Sequence, residues 1–254
     1  MHRYSSYLDR RRTAYIRLFE VKMAQGYAEL KAKLAVNFQP STNLQAPVRS
    51  IVIIGENPDV DSGTVPEIIG EMGGVFVFPT TDTVCTIVST DVNDTLGGTG
   101  ANIVLVEGLD SNYLEQWEVV NLNGTSNVTT TKSYLRVNAL RVVFCGTGKT
   151  NAGSITGIVD SKTIRQIAVG ESLDHTAVYT IPDKHTYFLQ STSFGNNKAS
   201  QAIHSSITTH VYVPSTNTVF ESGEISVNGS QVSTNQAPDA LARINEKSDI
   251  WWDA

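Results

Sequence analysis

The chain has 254 residues, of which 40% are hydrophobic and 17% charged, with a formal net charge of -6. This length can bury one large β core or two smaller ones without disulfides. The acidic balance argues against direct nucleic-acid binding, the two cysteines against a disulfide-stapled secreted scaffold, and the lack of a long apolar run against a membrane span. We therefore expect reduced cysteines and no nucleic acid or membrane as partner.

Residues 1–40 carry the one long helical pattern of the sequence. Basic residues accompany apolar residues whose spacing of three or four positions places them on one face of a helix. The apolar residues are Ile16, Phe19, Met23, Tyr27, Leu30 and Leu34. Because an amphipathic helix must bury its apolar stripe, we predict an N-terminal arm that packs on its own sheet or on a neighbouring subunit. A self-associating helical bundle is the alternative.

Residues 41–80 are rich in proline and contain two short apolar runs, Ile51–Ile54 and Val75–Phe78. Proline lacks the N–H group that a strand ladder needs, so frequent prolines interrupt sheets. The segment is therefore predicted to be a linker or arm that contains brief strands.

Residues 81–254 alternate between short apolar runs and turn residues such as Asn-Gly and Gly-Gly. The runs lie at Val84–Ser89, Asn102–Glu107, Gln116–Leu122, Tyr134–Phe144, Ile155–Asp160, Thr163–Val169, Ala177–Ile181, Thr186–Ser193, Ile203–Val213, Val219–Val227 and Ile250–Trp252. About ten or eleven such strands predict an all-β, antiparallel β-sandwich of jelly-roll type, because a single open sheet of that size would curl or split. The hydroxyl-rich run Thr129–Lys132 is predicted to be an exposed loop or an edge strand.

No group of reactive residues shows the spacing that catalysis or metal binding requires. Gly146–Thr150 looks like the end of a phosphate-binding loop, but Val143 occupies the position of the first glycine and no helix signal follows. A hairpin turn is the better interpretation. The histidines lack metal-ligand spacing, and no nucleophile elbow is present. We expect a non-enzymatic protein with no cofactor and no catalytic or metal-binding residue.

Two other chemistries stay open as alternatives. Oxygen-rich loops bind calcium, and Asp91–Asp94 is such a loop. Glycoside hydrolysis needs only a pair of carboxylates. The candidates for that pair are Glu107, Asp110, Glu115 and Glu118.

Two adjacent tryptophans, Trp251 and Trp252, stand near the end of the chain. Neighbouring residues of a strand point to opposite faces, so one tryptophan can fill the core while the other faces a partner. A large exposed aromatic ring suits a subunit contact, and a sugar ring is the alternative partner. We therefore add both residues to the candidate assembly interface, together with the apolar stripe of the predicted arm.

Several stretches of the β region share their turn residues with a known group of proteins. They are Asp94–Asn102, Val106–Tyr113, Asn123–Thr125, Val128–Asn138, Asn151–Gly153, Tyr179–Pro182 and Glu246–Ile250. Together they resemble virion structural proteins of tailed bacteriophages, notably phages of marine and cyanobacterial hosts. The resemblance covers residues 70–254 and not the basic N-terminal segment.

The resemblance implies a β-sandwich located in the virion, with no catalytic residue to carry over. The implied partners are other virion proteins of the capsid or tail, together with further copies of the same chain. A capsid decoration or head-fibre protein is the first hypothesis for its place in the particle. A tail-associated adaptor or fibre-base protein, or a module that binds a receptor or glycan, is the alternative.

Overall fold

The computed structural model describes residues 50–60, 65–189, 192–194, 204–228, 234–236 and 242–254. Within these ranges the chain forms strands and no helix, which confirms the predicted all-β, antiparallel fold. None of the described residues belongs to a helix long and apolar enough to cross a membrane. The predicted helical arm, with its stripe from Ile16 to Leu34, lies outside the described residues.

The strands are short and are joined mostly by turns. In chain order they are β1 (Thr83–Ser89), β2 (Ala101–Leu109), β3 (Glu115–Asn121), β4 (Val128–Tyr134), β5 (Arg136–Cys145), β6 (Ile155–Val159), β7 (Lys162–Ile167), β8 (Val178–Thr180), β9 (Tyr187–Leu189), β10 (Thr192–Phe194), β11 (His204–Val213), β12 (Thr218–Asn228), β13 (Thr234–Gln236), β14 (Ala242–Ile244) and β15 (Asp249–Asp253). Every pairing between them is antiparallel.

The first seven strands form two sheets that share one hydrophobic core. One sheet has the order β4-β1-β6-β7 and the other the order β3-β2-β5. In β6, fully buried residues alternate with half-buried ones, as expected when one face of a strand packs against a second layer. The core draws on both sheets and includes Cys85, Ile87, Val104, Val106, Tyr134, Leu140, Ile155 and Ile164. This packing is consistent with the predicted β-sandwich.

A further four-stranded sheet, of order β12-β11-β15-β8, is joined to the sandwich by buried polar groups. Arg136 at the start of β5 donates two hydrogen bonds of 2.9 Å to Asp249 of β15. Next to this ion pair, Asn138 of β5 and Thr180 of β8 exchange two hydrogen bonds of 2.9 Å. The ladder pairs β10-β13 and β14-β9 complete the described strands.

The proline-rich segment does not contain the strands that the sequence predicted. Neither Ile51–Ile54 nor Val75–Phe78 forms a strand. The described part of the segment instead pairs with the body through single bridges at Ile68 and Gly70. Pro66, two positions before Ile68, lacks a ladder donor and limits the pairing on that side.

The loop Gly146–Thr150 is not a hairpin turn, so that prediction is wrong. Strand β5 pairs with β2, whereas β6 pairs with β1 and β7, and the loop therefore crosses from one sheet to the other. Its backbone packs tightly on the preceding turn: Gly146 N donates to Gly100 O at 2.7 Å, and a side chain at Gly146 would collide with the carbonyl oxygen of Gly98. The glycine is thus required by close packing.

The run Thr129–Lys132 belongs to β4, which is an edge strand of its sheet, as one of the two predicted options held. Its buried hydroxyl, that of Thr130, accepts a hydrogen bond from Cys85 N at 2.8 Å and donates one to Lys132 O at 2.7 Å. Both cysteines are free, Cys85 in the core and Cys145 half-buried. Burial raises the pKa of Cys85 to about 12, so this thiol stays protonated near neutral pH.

Candidate functional site

Large apolar side chains cover the outward surface of the β3-β2-β5 sheet, which we call the outer face (Ile103, Leu105, Trp117, Val119 and Phe144). Alternation along β3 places Trp117 and Val119 opposite the buried Val120, and these two residues are 62% and 53% exposed. Phe144 of β5, which is 57% exposed, lies opposite Ile103 in the register. Among the described residues, those on this surface of the sheet include bulky apolar side chains of the kind that folded monomers usually bury.

Charged side chains at neighbouring positions contact the residues of the outer face. Lys132 donates to Trp117 O at 2.8 Å and holds its ammonium 5.9 Å from the centre of the Trp117 ring. Such a cation–π contact favours one orientation of the indole. Glu107 and Arg141, register neighbours of the apolar residues, form an ion pair of 2.9 Å. The ion pair thus lies within the outer face, where Glu107 is the register partner of Trp117 and Arg141 that of Leu105.

Aromatic side chains also line a groove of about 450 Å³, the aromatic groove. It lies between residues 78–80, the turn after β2, and the strands β11, β12 and β15. Its rings belong to Phe78, Tyr113, Tyr212 and Trp251. Concave surfaces with this lining are typical of ligand sites.

Trp251 is held in place by contacts on two sides. Its ring stacks on His210 with centroids 4.9 Å apart and an interplanar angle of 9°, and it meets Phe78 edge-on at 5.4 Å. His210 is itself anchored, because its Nε2 atom lies 2.8 Å from Asp253 Oδ1. Trp252 points the other way into the interior, so the two tryptophans face opposite sides of β15, as strand geometry predicts. Their role in an assembly contact stays a prediction.

A tight turn presents Tyr113 to the groove. Asp110 begins this turn, and its carboxylate accepts hydrogen bonds from Asn112 N at 2.8 Å and Leu114 N at 2.9 Å. Tyr113 has a φ of 62°, a left-handed conformation that such a turn stabilises. Burial raises the pKa of the Tyr113 phenol, and the Lys247 ammonium lies 6.0 Å from its ring centre. The turn thus sets the direction in which the Tyr113 side chain leaves the backbone.

An ion pair forms the floor of the groove, and both of its charged groups already have hydrogen-bond partners within the chain. Asp249 accepts both bonds from Arg136 and a third from Thr180 Oγ1 at 2.6 Å. Arg136 also donates to Pro79 O at 2.7 Å and lies 5.0 Å from the centre of the Phe78 ring. A ligand would therefore meet mainly aromatic surface. Sequence reasoning missed Phe78 and Arg136, because nothing in their spacing connects them to Trp251.

The acidic residues considered for catalysis hold the fold in different places. Glu107 binds Arg141, Asp110 closes its turn, and Glu118 accepts hydrogen bonds from β4, including one from Thr131 N at 2.8 Å. The structure does not bring these three carboxylates together as a pair around a cleft. In the loop considered for calcium, the Asp94 carboxylate accepts hydrogen bonds from four protein donors. These donors are Ser89 Oγ, Ala101 N, Ala152 N and Gly153 N.

Comparisons of the chain with protein-family models, with curated proteins and with solved structures gave no match in any of the three. Two surfaces of the chain are suited to binding. The outer face suits a flat protein contact, and the aromatic groove suits a smaller ligand.

Proposed function

We propose that the chain is a structural component of a tailed-phage virion, a capsid decoration or head-fibre protein that assembles through contacts between subunits. The supporting observation is the outer face, where Trp117, Val119 and Phe144 of one sheet are each more than half exposed. Contiguous apolar patches with polar borders mark protein interaction sites. We propose a second copy of the chain as the occupant, in keeping with a homo-oligomer.

The residue types of the outer face suit this proposal. Tryptophan and phenylalanine are enriched at the centres of protein interfaces, where charged residues are depleted. The Glu107–Arg141 ion pair lies beside the apolar residues, and a partly exposed pair of this kind contributes little energy but restricts the docking orientation. Covering apolar area stabilises a contact by about 25 cal/mol per Å², repeated in every symmetric copy.

Two further features of the chain are proposed: the connectivity of the β body and the role of the N-terminal residues, which lie outside the described ranges. We propose jelly-roll connectivity for the complete β body and an amphipathic arm in residues 1–40 that docks on neighbouring virion proteins. We also propose that the chain has no catalytic activity. A position in the tail, as an adaptor or fibre-base protein, is the alternative within the same class.

Replacing Val119 by Glu tests the assembly role of the outer face. A carboxylate at the centre of an apolar contact must lose its hydration, so we expect self-association to weaken at least about tenfold. Light scattering coupled to size-exclusion chromatography, over a range of protein concentrations, measures the change. Val92→Glu is the matched control, because Val92 is also exposed, at 67% against 53% for Val119, but lies in the loop after β1. A wild-type chain that stays monomeric throughout, or a Val119→Glu variant that associates normally, would contradict the assignment.

A second candidate function, recognition of a receptor glycan, is supported by the aromatic groove. Fixed aromatic rings offer flat apolar surface on which a sugar ring can stack, and Trp251 and Tyr113 present two such rings. In this role the chain would still be a virion protein. The groove, and not the outer face, would then contact the host.

Replacing Trp251 by Ala tests this second function. If the groove binds a glycan, we expect the variant to lose at least about nine-tenths of the binding that the wild type shows on a glycan array. The reason is that an aromatic side chain that anchors or stacks on a ligand commonly contributes about 1–3 kcal/mol to binding. Trp117→Ala, which removes an exposed indole from the outer face, should bind like the wild type. Circular dichroism checks that both variants are folded. An array on which the wild type binds nothing argues against this function.

A further inference from the structure

Three side chains that commonly bind metals meet outside both surfaces described above. The ligand atoms of Glu56, Glu71 and His175 all lie within 4.8 Å of one another. His175 Nδ1 lies 3.7 Å from a carboxylate oxygen of Glu56 and 3.7 Å from one of Glu71. These separations are too long for hydrogen bonds, but they match the distance between two ligands of a common ion.

One polar atom of this cluster, His175 Nδ1, is buried without a hydrogen-bond partner among the described residues, whereas the Glu56 side chain is 53% exposed. The Glu71 side chain is only 10% exposed, and the His175 imidazole lies beside it. A buried unpaired polar atom is costly, so native proteins rarely keep one without a reason. Burial and the nearby Glu56 charge raise the pKa of Glu71.

The backbone holds the three residues in place independently of their side chains. Glu56 N donates to His175 O at 3.1 Å, and Ala177 N donates to Ile69 O at 2.8 Å. Gly70 forms a β-bridge with Thr176. The proline-rich segment thus supplies Glu56 and Glu71, and hydrogen bonds next to the cluster hold both parts of it beside the residues around His175. A site built on such a frame is largely preformed.

We propose that Glu56, Glu71 and His175 bind one divalent transition-metal ion, with Zn²⁺ as the best fit and Mn²⁺ as the next. One imidazole nitrogen and two carboxylate oxygens form a ligand set that zinc accepts, whereas calcium prefers oxygen ligands alone. Water would occupy the remaining coordination positions. The ion would neutralise the two carboxylates and fasten the proline-rich segment that carries Glu56 and Glu71 to the chain at His175.

The test uses the full-length chain, stripped with a chelator and returned to metal-free buffer. Titration calorimetry with Zn²⁺ should show one bound ion, and a saturating excess should raise the melting temperature by about 5 °C. Ca²⁺ at the same concentration should leave the melting temperature unchanged. Glu71→Gln and His175→Gln should each abolish the Zn²⁺-induced shift. Glu171→Gln is the matched control, because Glu171 acts on Glu71 through its charge but is not one of the three ligands.

Two results would overturn the proposal. One is a wild-type chain whose melting temperature responds to neither Zn²⁺ nor Mn²⁺, and the other is an unchanged shift in His175→Gln. If a variant does not fold, the visible absorption of Co²⁺ added to the wild type decides the question. Intense bands that one equivalent of Zn²⁺ removes support the site, whereas the weak spectrum of hydrated Co²⁺ refutes it.

Discussion

Replacing Arg165 by Ala is expected to lower the free energy of unfolding by about 3–5 kcal/mol, a large part of the total for a domain. The Arg165 side chain is 1% exposed and forms an ion pair with Asp174, whose nearest oxygen is 3.2 Å away. Its other acceptors are the carbonyl oxygens of Val137, Thr176 and Val178, at 2.8, 3.0 and 2.8 Å. Truncation would leave the buried Asp174 charge without its cation, with Leu140 N still donating to it at 2.6 Å, and would remove the donors that Arg165 supplies to these carbonyls.

Urea denaturation of the purified variant, with the wild type beside it, measures this loss. Arg141→Ala is the control, because Arg141 forms its ion pair at the surface and should contribute less than about 1 kcal/mol. Arg165→Lys should recover little stability, since one ammonium group cannot reach acceptors that a planar guanidinium bridges. An Arg165→Ala variant whose free energy of unfolding lies within about 1 kcal/mol of the wild-type value would show that Arg165 does not hold β7 to β5 and to residues 176–178.

Replacing Asp94 by Ala is expected to lower the free energy of unfolding by about 3 kcal/mol or more. The Asp94 carboxylate is buried and connects two loops. Two of its donors belong to strands: Ala101 N of β2 at 2.7 Å and Ser89 Oγ of β1 at 2.6 Å. Its donors from the loop before β6 are Ala152 N at 2.8 Å and Gly153 N at 2.9 Å. Alanine would strand three backbone N–H groups away from water.

Asp91→Ala is the matched control for Asp94→Ala, because Asp91 lies in the same loop but accepts hydrogen bonds only from nearby, exposed donors of Asn93. We expect it to lose about 1 kcal/mol or less. Thermal unfolding followed by circular dichroism compares the two variants. Equal melting temperatures for the two would mean that the Asp94 network does not hold the loops together.

The strand positions of the sandwich could be predicted because their signals are local. The run Val84–Ser89 became β1 (Thr83–Ser89), and Ile155–Asp160 became β6 (Ile155–Val159), since apolar alternation and turn residues mark both ends of a strand. Which strands pair is decided by contacts distant in sequence. The loop Gly146–Thr150 therefore looked like a hairpin turn, although it links strands of different sheets.

The buried charges show a second limit of sequence reasoning. Arg165 stands in a strand pattern like any surface arginine, and its burial depends on how β7 packs against β5 and the segment that leads into β8. The residues of the aromatic groove show the same limit, since only some of them could be placed from the sequence. Strand alternation correctly set Trp251 and Trp252 on opposite faces, whereas Phe78 reaches the aromatic groove from a segment predicted to be a linker.

The cluster of Glu56, Glu71 and His175 was missed for a related reason. Metal-site motifs are recognised in sequence when ligands stand a few positions apart on one element. Here the proline-rich segment supplies Glu56 and Glu71, the distant His175 supplies the third ligand, and only the folded backbone brings them together. No spacing rule could have selected His175 from the five histidines of the chain.

The proposed virion role can be tested by cryo-EM of tailed-phage particles whose genome carries the gene for this chain. If the proposal is right, the map contains symmetric copies of density that fit residues Ile53–Ala254, with Trp117 and Phe144 buried against a neighbouring copy. Copies on every capsomer would identify a decoration protein, and a single ring at the tail would identify an adaptor. Particles that lack the chain, or copies whose outer face is open to solvent, would argue against the proposed assembly.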